Sequence, residues 1–191
     1  MRSVTRLAAV LLLAGCGLGN LTSPANTEDM CALARERPHY VRAFEKSEQR
    51  WDAPASVQMA IVYHESAFDG DARTPRTYFL GFIPTGRVSS AYGYSQALDG
   101  TWEEYKRKTG RRFARRDDID DAADFVGWYM TQSNRINAIP MSDARNQYLA
   151  YHEGNGGYAR GSHRAKGWLM NVAERVAARA VRYGSQLESC G

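Results

Sequence analysis

Apolar residues recur about every 3.6 positions along most of the chain, the spacing of helices with one buried face. Pro38 can open a helix reaching about Gln49, with Val41 and Phe44 sharing a face with Glu48. Asp52 or Ala53 before Pro54 reads as a cap and first turn. Val57, Ala60, Ile61 and His64 follow at helical spacing, with Phe68 beyond. Asp99 can cap a helix from Gly100 to about Thr109, and Gly110 supplies the stop. A helix from Asp117 to about Ser133 begins with acids, as the positive end of a helix dipole prefers, and carries Ala122, Phe125, Val126, Tyr129 and Met130. Ser142 caps a further helix to Glu153, ended by Gly154. A last helix spans about His163 to Tyr183, with Leu169, Val172, Val176 and Val181 apolar and Gly184 closing it. Only residues 71–92 break the pattern. There Tyr78 to Ile83, between Pro75 and Pro84, predicts either a short hairpin or an ordered loop. The predicted fold class is mainly α.

The beginning of the chain follows a different logic. Arg2 and Arg6 precede an apolar run, Leu7 to Ala14, that is too short to span a bilayer, which takes about 20 residues. This is the anatomy of an export signal. It ends Leu13-Ala14-Gly15-Cys16, which resembles a bacterial lipobox. Residues 1–15 are then a lipoprotein signal peptide, and Cys16 carries lipid at the new N-terminus. The alternative is an ordinary secretory signal followed by an unrelated cysteine. Gly17 stands where an aspartate commonly retains such lipoproteins at the inner membrane, which points to the outer membrane, facing the periplasm. Residues 16–29 are small and polar and read as a lipidated tether ahead of one domain over 30–191. Cys31 and Cys190 remain for the folded part. An oxidising periplasm invites a disulfide between them, the alternative being two unrelated thiols.

At 191 residues, 43% hydrophobic and 24% charged, the chain can bury a core of its own. It has no internal repeat, which excludes solenoids and propellers. The formal charge of +4 falls to +2 once Arg2 and Arg6 leave with the signal. That is too little and too scattered for a nucleic-acid partner, and fits a mildly anionic one such as a cell wall or an anionic lipid surface.

The helix beginning at Pro54 ends in Tyr63-His64-Glu65-Ser66-Ala67-Phe68. A glutamate at a helix C-terminus faces the negative end of the dipole, and apolar neighbours desolvate it; both raise its pKa toward what a general acid needs near neutrality. Two more constellations accompany it. Ala91-Tyr92-Gly93-Tyr94-Ser95-Gln96 precedes a capped helix, and Ala150-Tyr151-His152-Glu153-Gly154 leads into a glycine-rich stretch. In this order, over about Ala53 to Tyr158, the sequence resembles the soluble lytic transglycosylase catalytic domain, a relative of goose-type lysozyme.

The resemblance implies a lysozyme-like α+β fold with the hairpin or loop beside a cleft. It implies Glu65 as the catalytic residue, with Ser66, Gly93, Tyr94, Gln96, Tyr151 and His152 around the substrate. It implies peptidoglycan glycan strands as the partner; no cofactor or metal is expected, and with the lipobox-like start the protein is expected to be a monomer held to the membrane by its lipid. Tyr94-Ser95 and His152-Glu153 depart from the usual residues of their motifs, and the 28 positions from Glu65 to Gly93 exceed the usual spacing. The implied reaction needs one carboxyl. Glu65 protonates the glycosidic oxygen between N-acetylmuramic acid and N-acetylglucosamine, and the substrate's own acetamido oxygen stabilises C1. Attack by the muramoyl 6-hydroxyl gives a 1,6-anhydro product; attack by water gives a hydrolytic muramidase.

Rival readings rest on less. His39, His64, His152 and His163 form no His-Glu-x-x-His, and no Gly-x-Ser-x-Gly elbow is present. A non-catalytic glycan binder or scaffold lipoprotein would use Tyr92, Tyr94, Trp102, Tyr151 and Tyr158 to stack on sugars, where their alternative is core packing. The segment Asp71–Tyr92 is expected to form a cleft wall, with Arg73, Arg76 and Arg87 meeting muramoyl or peptide carboxylates. Its alternative is that Tyr78, Phe79, Leu80, Phe82 and Ile83 complete the core and the arginines are solvated.

Overall fold

The computed structural model describes residues 21–190; the expected signal peptide and the expected lipid site at Cys16 lie outside the described residues. The described residues form seven α-helices, a short 3-10 helix at Ser162–Ala165 and one two-stranded antiparallel sheet. The fold is mainly α with a small β element, the lysozyme-like α+β class.

Helix α3 (Ala55–Ser66) runs through the centre. Ala55 and Val57 to Val62 are all buried, so the helix is apolar on every side, as one enclosed by others must be. The buried amide nitrogen of Gln58 donates to the Ala53 carbonyl at 2.6 Å, while its Oε1 has no hydrogen-bond partner among the described residues, so only part of the cost of placing it there is met. Helix α7 (Gly167–Cys190) packs along α3, while α2 (Pro38–Trp51) packs against α5 (Ile119–Asn137) and α6 (Ala144–Ala159) sits between α5 and α7. Pro38 occupies the first turn of α2, where a missing N–H costs nothing, and Asp52 ends it in a left-handed conformation. Asp118 caps α5 by accepting from the Asp121 amide. Gly127 lets α5 close on α2; a Cβ there would lie 2.8 Å from Trp51 Cδ1. Asp124, buried beside that contact, accepts from Tyr105 on α4 (Asp99–Thr109) at 2.6 Å and from Arg50 and Trp51 on α2 at 3.0 Å each.

The structure departs from the sequence reading in several places. Helix α1 (Met30–Glu36), which was not read from the sequence, spans seven residues, too short to display a period; its signal is the Asp29 side chain, which accepts from the amides of Cys31 and Ala32. Residues 21–29, read as part of a tether, are held to the body. Leu21 O accepts from Gly70 N at 2.7 Å, and Glu28 meets Arg179 at 2.7 Å, Arg182 at 2.6 Å and Tyr63 at 3.0 Å. Gly154 leaves helical geometry (φ 73°), but the chain resumes helix beyond it to Ala159. Gly184 does not close α7. It packs near Ser56, and the helix continues to carry Cys190 to Cys31, where the two form a disulfide with Cα atoms 5.5 Å apart.

The non-helical segment holds a hairpin, β1 (Arg76–Phe79) paired with β2 (Ile83–Arg87). Leu80 and Gly81 turn it with positive φ. Tyr78, Phe79, Leu80, Phe82 and Ile83 are exposed, so they complete no core.

The disulfide closes a loop of 159 positions, which by loop-closure entropy stabilises the fold by roughly 5 kcal/mol at most. Adding reductant should therefore lower the thermal midpoint, and Cys31→Ala/Cys190→Ala should match the reduced wild type. Calorimetry with and without reductant checks this.

Candidate active site

The last turn of α3 delivers Glu65 to a cleft of about 320 Å³ whose other walls come from Gln96 and Leu98 before α4, Phe125 and Tyr129 on α5, and Tyr151 to Gly154 on α6. Beyond Ser66 the helix stops sharply: Ala67 and Phe68 both take left-handed backbone angles (φ 51° and 61°), and Gln96 across the cleft does the same (φ 49°). Non-glycine residues held there cost of order 1 kcal/mol or more each and gather where a site over-determines its geometry.

Ser66 and Tyr151 fix the segment that faces Glu65. The Ser66 hydroxyl donates to the Tyr94 carbonyl at 2.8 Å, and the Tyr151 hydroxyl donates to the Ser95 carbonyl at 2.6 Å. Gly93, at φ 74°, receives the Arg116 backbone so closely that any Cβ would run into the Arg116 carbonyl. That carbonyl accepts from Tyr94 N at 3.1 Å. The Gln96 amide nitrogen donates to the carbonyls of Ala72 at 3.0 Å and Gly93 at 2.8 Å while its side chain lines the cleft.

Burial pushes the Glu65 carboxyl up from 4.5 to about 7, against a hydrogen bond from the Tyr148 hydroxyl that holds it lower. Tyr148 and Tyr151 are themselves pushed up by burial and by the Glu65 charge, so both remain donors. The second carboxylate on the cleft is Glu153, whose side chain is 4% exposed. Lys166 donates to it at 2.7 Å and 2.9 Å, the Ser162 hydroxyl donates to it, and His152 Nδ1 lies 3.1 Å away. The Lys166 and Ser162 hydrogen bonds hold Glu153 down to about 2, so it stays ionised.

Of the residues expected at the site, Glu65, Gln96, Tyr151 and His152 line the cleft. Ser66 and Gly93 serve its architecture. Tyr94 is a correction: its ring is 3% exposed, its hydroxyl shares a 2.7 Å hydrogen bond with Tyr40, and it packs on Gly70, so its side chain faces the core and not the cleft. Trp102 is core as well, Tyr158 stacks on His163, and Tyr92 lies under Arg73 at 3.9 Å. None of the residues lining this cavity falls within Asp71–Tyr92; that segment meets the site through the Ala72 carbonyl, which accepts from the Gln96 amide. Sequence reasoning missed Tyr148. Its signal was its place three residues before Tyr151, on the same helix face.

Residues 4–190 match the family described as Transglycosylase SLT domain. Over 75 residues, 37% of this chain, the sequence is 36% identical to Membrane-bound lytic murein transglycosylase F 2 of Alkalilimnicola ehrlichii. That match spans 17% of the relative's length. With a family match running almost from end to end over a mainly helical fold, the chain belongs to the transglycosylase SLT domain family.

Proposed function

We propose that the protein is a lytic transglycosylase that cleaves the β-1,4 bond between N-acetylmuramic acid and N-acetylglucosamine in peptidoglycan, with Glu65 as its single acid and base. The observation that carries this reading is the contrast between the two cleft carboxylates. Glu65 keeps its proton up to about pH 7, whereas Glu153 is engaged by Lys166 and Ser162 and stays ionised. A group poised near neutrality can give and retake a proton; one held at about 2 cannot.

In the reaction Glu65 gives its proton to the glycosidic oxygen as the C1–O bond breaks, and N-acetylglucosamine leaves with a free 4-hydroxyl. The muramoyl acetamido oxygen stabilises C1, which removes the need for a carboxylate nucleophile. Glu65, now a carboxylate, takes the proton of the muramoyl 6-hydroxyl, whose oxygen bonds to C1. The product is a 1,6-anhydromuramoyl end, and Glu65 is again protonated. Tyr148, donating to Glu65, steadies the carboxylate midway. Lipid at Cys16 would hold the enzyme at the outer membrane with its cleft in the periplasm, in keeping with the lipobox-like sequence and the membrane-bound relative.

Glu65→Gln keeps the shape and removes the proton, so turnover on purified sacculi should fall roughly 100- to 10,000-fold while the fold survives. Mass spectrometry of the released muropeptides should find anhydro ends from the wild type. Reducing ends instead would mean water attack, and full activity in Glu65→Gln would remove Glu65 from the chemistry.

The same proton ties stability to pH. The folded state holds it up to about 7 and the unfolded chain releases it near 4.5, so unfolding releases a proton in that window and stability falls as pH rises through it. Glu65→Gln lacks this dependence. Its stability relative to the wild type should rise by about 3 kcal/mol between pH 4 and pH 8, as read from denaturant unfolding at each pH.

A further inference from the structure

The hairpin leaves a concentrated apolar surface in water. Leu80 is 70% exposed and Phe82 71%, with Tyr78, Phe79 and Ile83 beside them. All nine strand residues are exposed, so neither face of the ribbon has a core beneath it. A two-stranded ribbon is marginal alone, and an apolar patch of this kind on a folded domain marks a contact surface.

At the other end of the same ladder Arg76 stands directly opposite Arg87. Like charges in register cost stability unless an anion sits between them. Among the described residues no carboxylate forms a salt bridge with either arginine; Arg87 donates one bond to the Thr74 carbonyl at 2.6 Å, and between Asp71 and Asp99 the sequence holds three arginines and no carboxylate. The order along the ribbon is thus a cationic pair, then Tyr78, then an apolar tip. From Arg76 to Leu80 the rise is about 13 Å, close to the separation between lipid phosphates and the upper acyl chains that an interfacial element spans.

The path of the chain says which surface meets this tip. Leu21, the first described residue, is bonded to Gly70 at the start of the hairpin segment. Cys16 lies five residues upstream, at most about 18 Å of extended chain. A bilayer holding lipid at Cys16 is therefore within reach of the hairpin.

We propose that the β1–β2 hairpin is a membrane-contact element whose Phe79–Ile83 tip enters the interface of an anionic phospholipid bilayer while Arg76 and Arg87 bind headgroup phosphates. The proposal takes the position of the bilayer from the lipid-anchored reading and needs nothing from the chemistry of Glu65. It adds a second attachment point to a short link, which fixes how the body, and with it the cleft, faces the membrane.

The test uses the full chain with Phe82→Trp, and Val181→Trp on α7 as a reference, in vesicles of phosphatidylglycerol with brominated acyl chains. Emission from the tryptophan added at position 82 should shift to the blue and be quenched by the brominated lipid; emission from position 181 should not. The effect should be lost in vesicles of phosphatidylcholine alone. Phe79→Ser/Leu80→Ser/Phe82→Ser should weaken phosphatidylglycerol binding at least about tenfold and leave digestion of lipid-free sacculi unchanged. The proposal is overturned if the position-82 signal stays aqueous while the chain sediments with phosphatidylglycerol vesicles. It is equally overturned if that signal is protected only by sacculi or by self-association, or if it responds to both lipids alike. Cys16→Ser reports separately on the anchor. If it leaves sedimentation unchanged while position 82 is still quenched, the anchored reading fails and the hairpin contact stands.

Discussion

Two hydroxyl-to-carbonyl hydrogen bonds hold the cleft in register. Ser66, next to Glu65, takes the Tyr94 carbonyl, and Tyr151 takes the neighbouring Ser95 carbonyl. The turn from Gly93 to Ala97 is thereby gripped from both sides, by the central helix and by α6. Each bond is worth about 1 kcal/mol net, but a buried carbonyl stripped of its donor costs more than that, so the turn cannot slip by a residue. The buried Tyr94 ring fixes it from below through Tyr40. Three short motifs far apart in sequence become one cleft through these contacts, and the left-handed backbone at Gln96 is held by the same grip.

The sequence made the large helices legible because each buries a continuous face. Helices α2, α3 and α5 fell within a few residues of their observed spans. What it hid was set by contacts between distant residues. Helix α1 is short and draws its stability from α7 and the disulfide. Gly184 looks like a helix end, and only the packing of α7 against α3 overrides it. Tyr94 illustrates the limit within the motif itself. Its neighbours Gly93 and Gln96 serve the cleft, yet the positive φ at Gly93 and the Ser66 bond turn its ring inward, which no spacing rule conveys. The hairpin's apolar content was plain, but its destination was not: an apolar run reads alike whether core, cleft or another surface covers it.

Three carboxylates that this fold takes at least partly out of water explain why one of them is suited to proton transfer. Asp124 accepts from Tyr105, Arg50 and Trp51 and has Arg111 beside it, and it ties α2, α4 and α5 together. Glu153 has Lys166, Ser162 and His152. Glu65 has Tyr148, a neutral donor, and among the described residues no salt bridge is found to it. Burial disfavours the charge in every case, and cationic partners repay that cost for the first two. At Glu65 the cost is met by holding a proton instead. The fold therefore selects its acid by withholding a counterion from it. A lysine or arginine brought within reach of Glu65 would add stability to the carboxylate and remove the property that makes it useful.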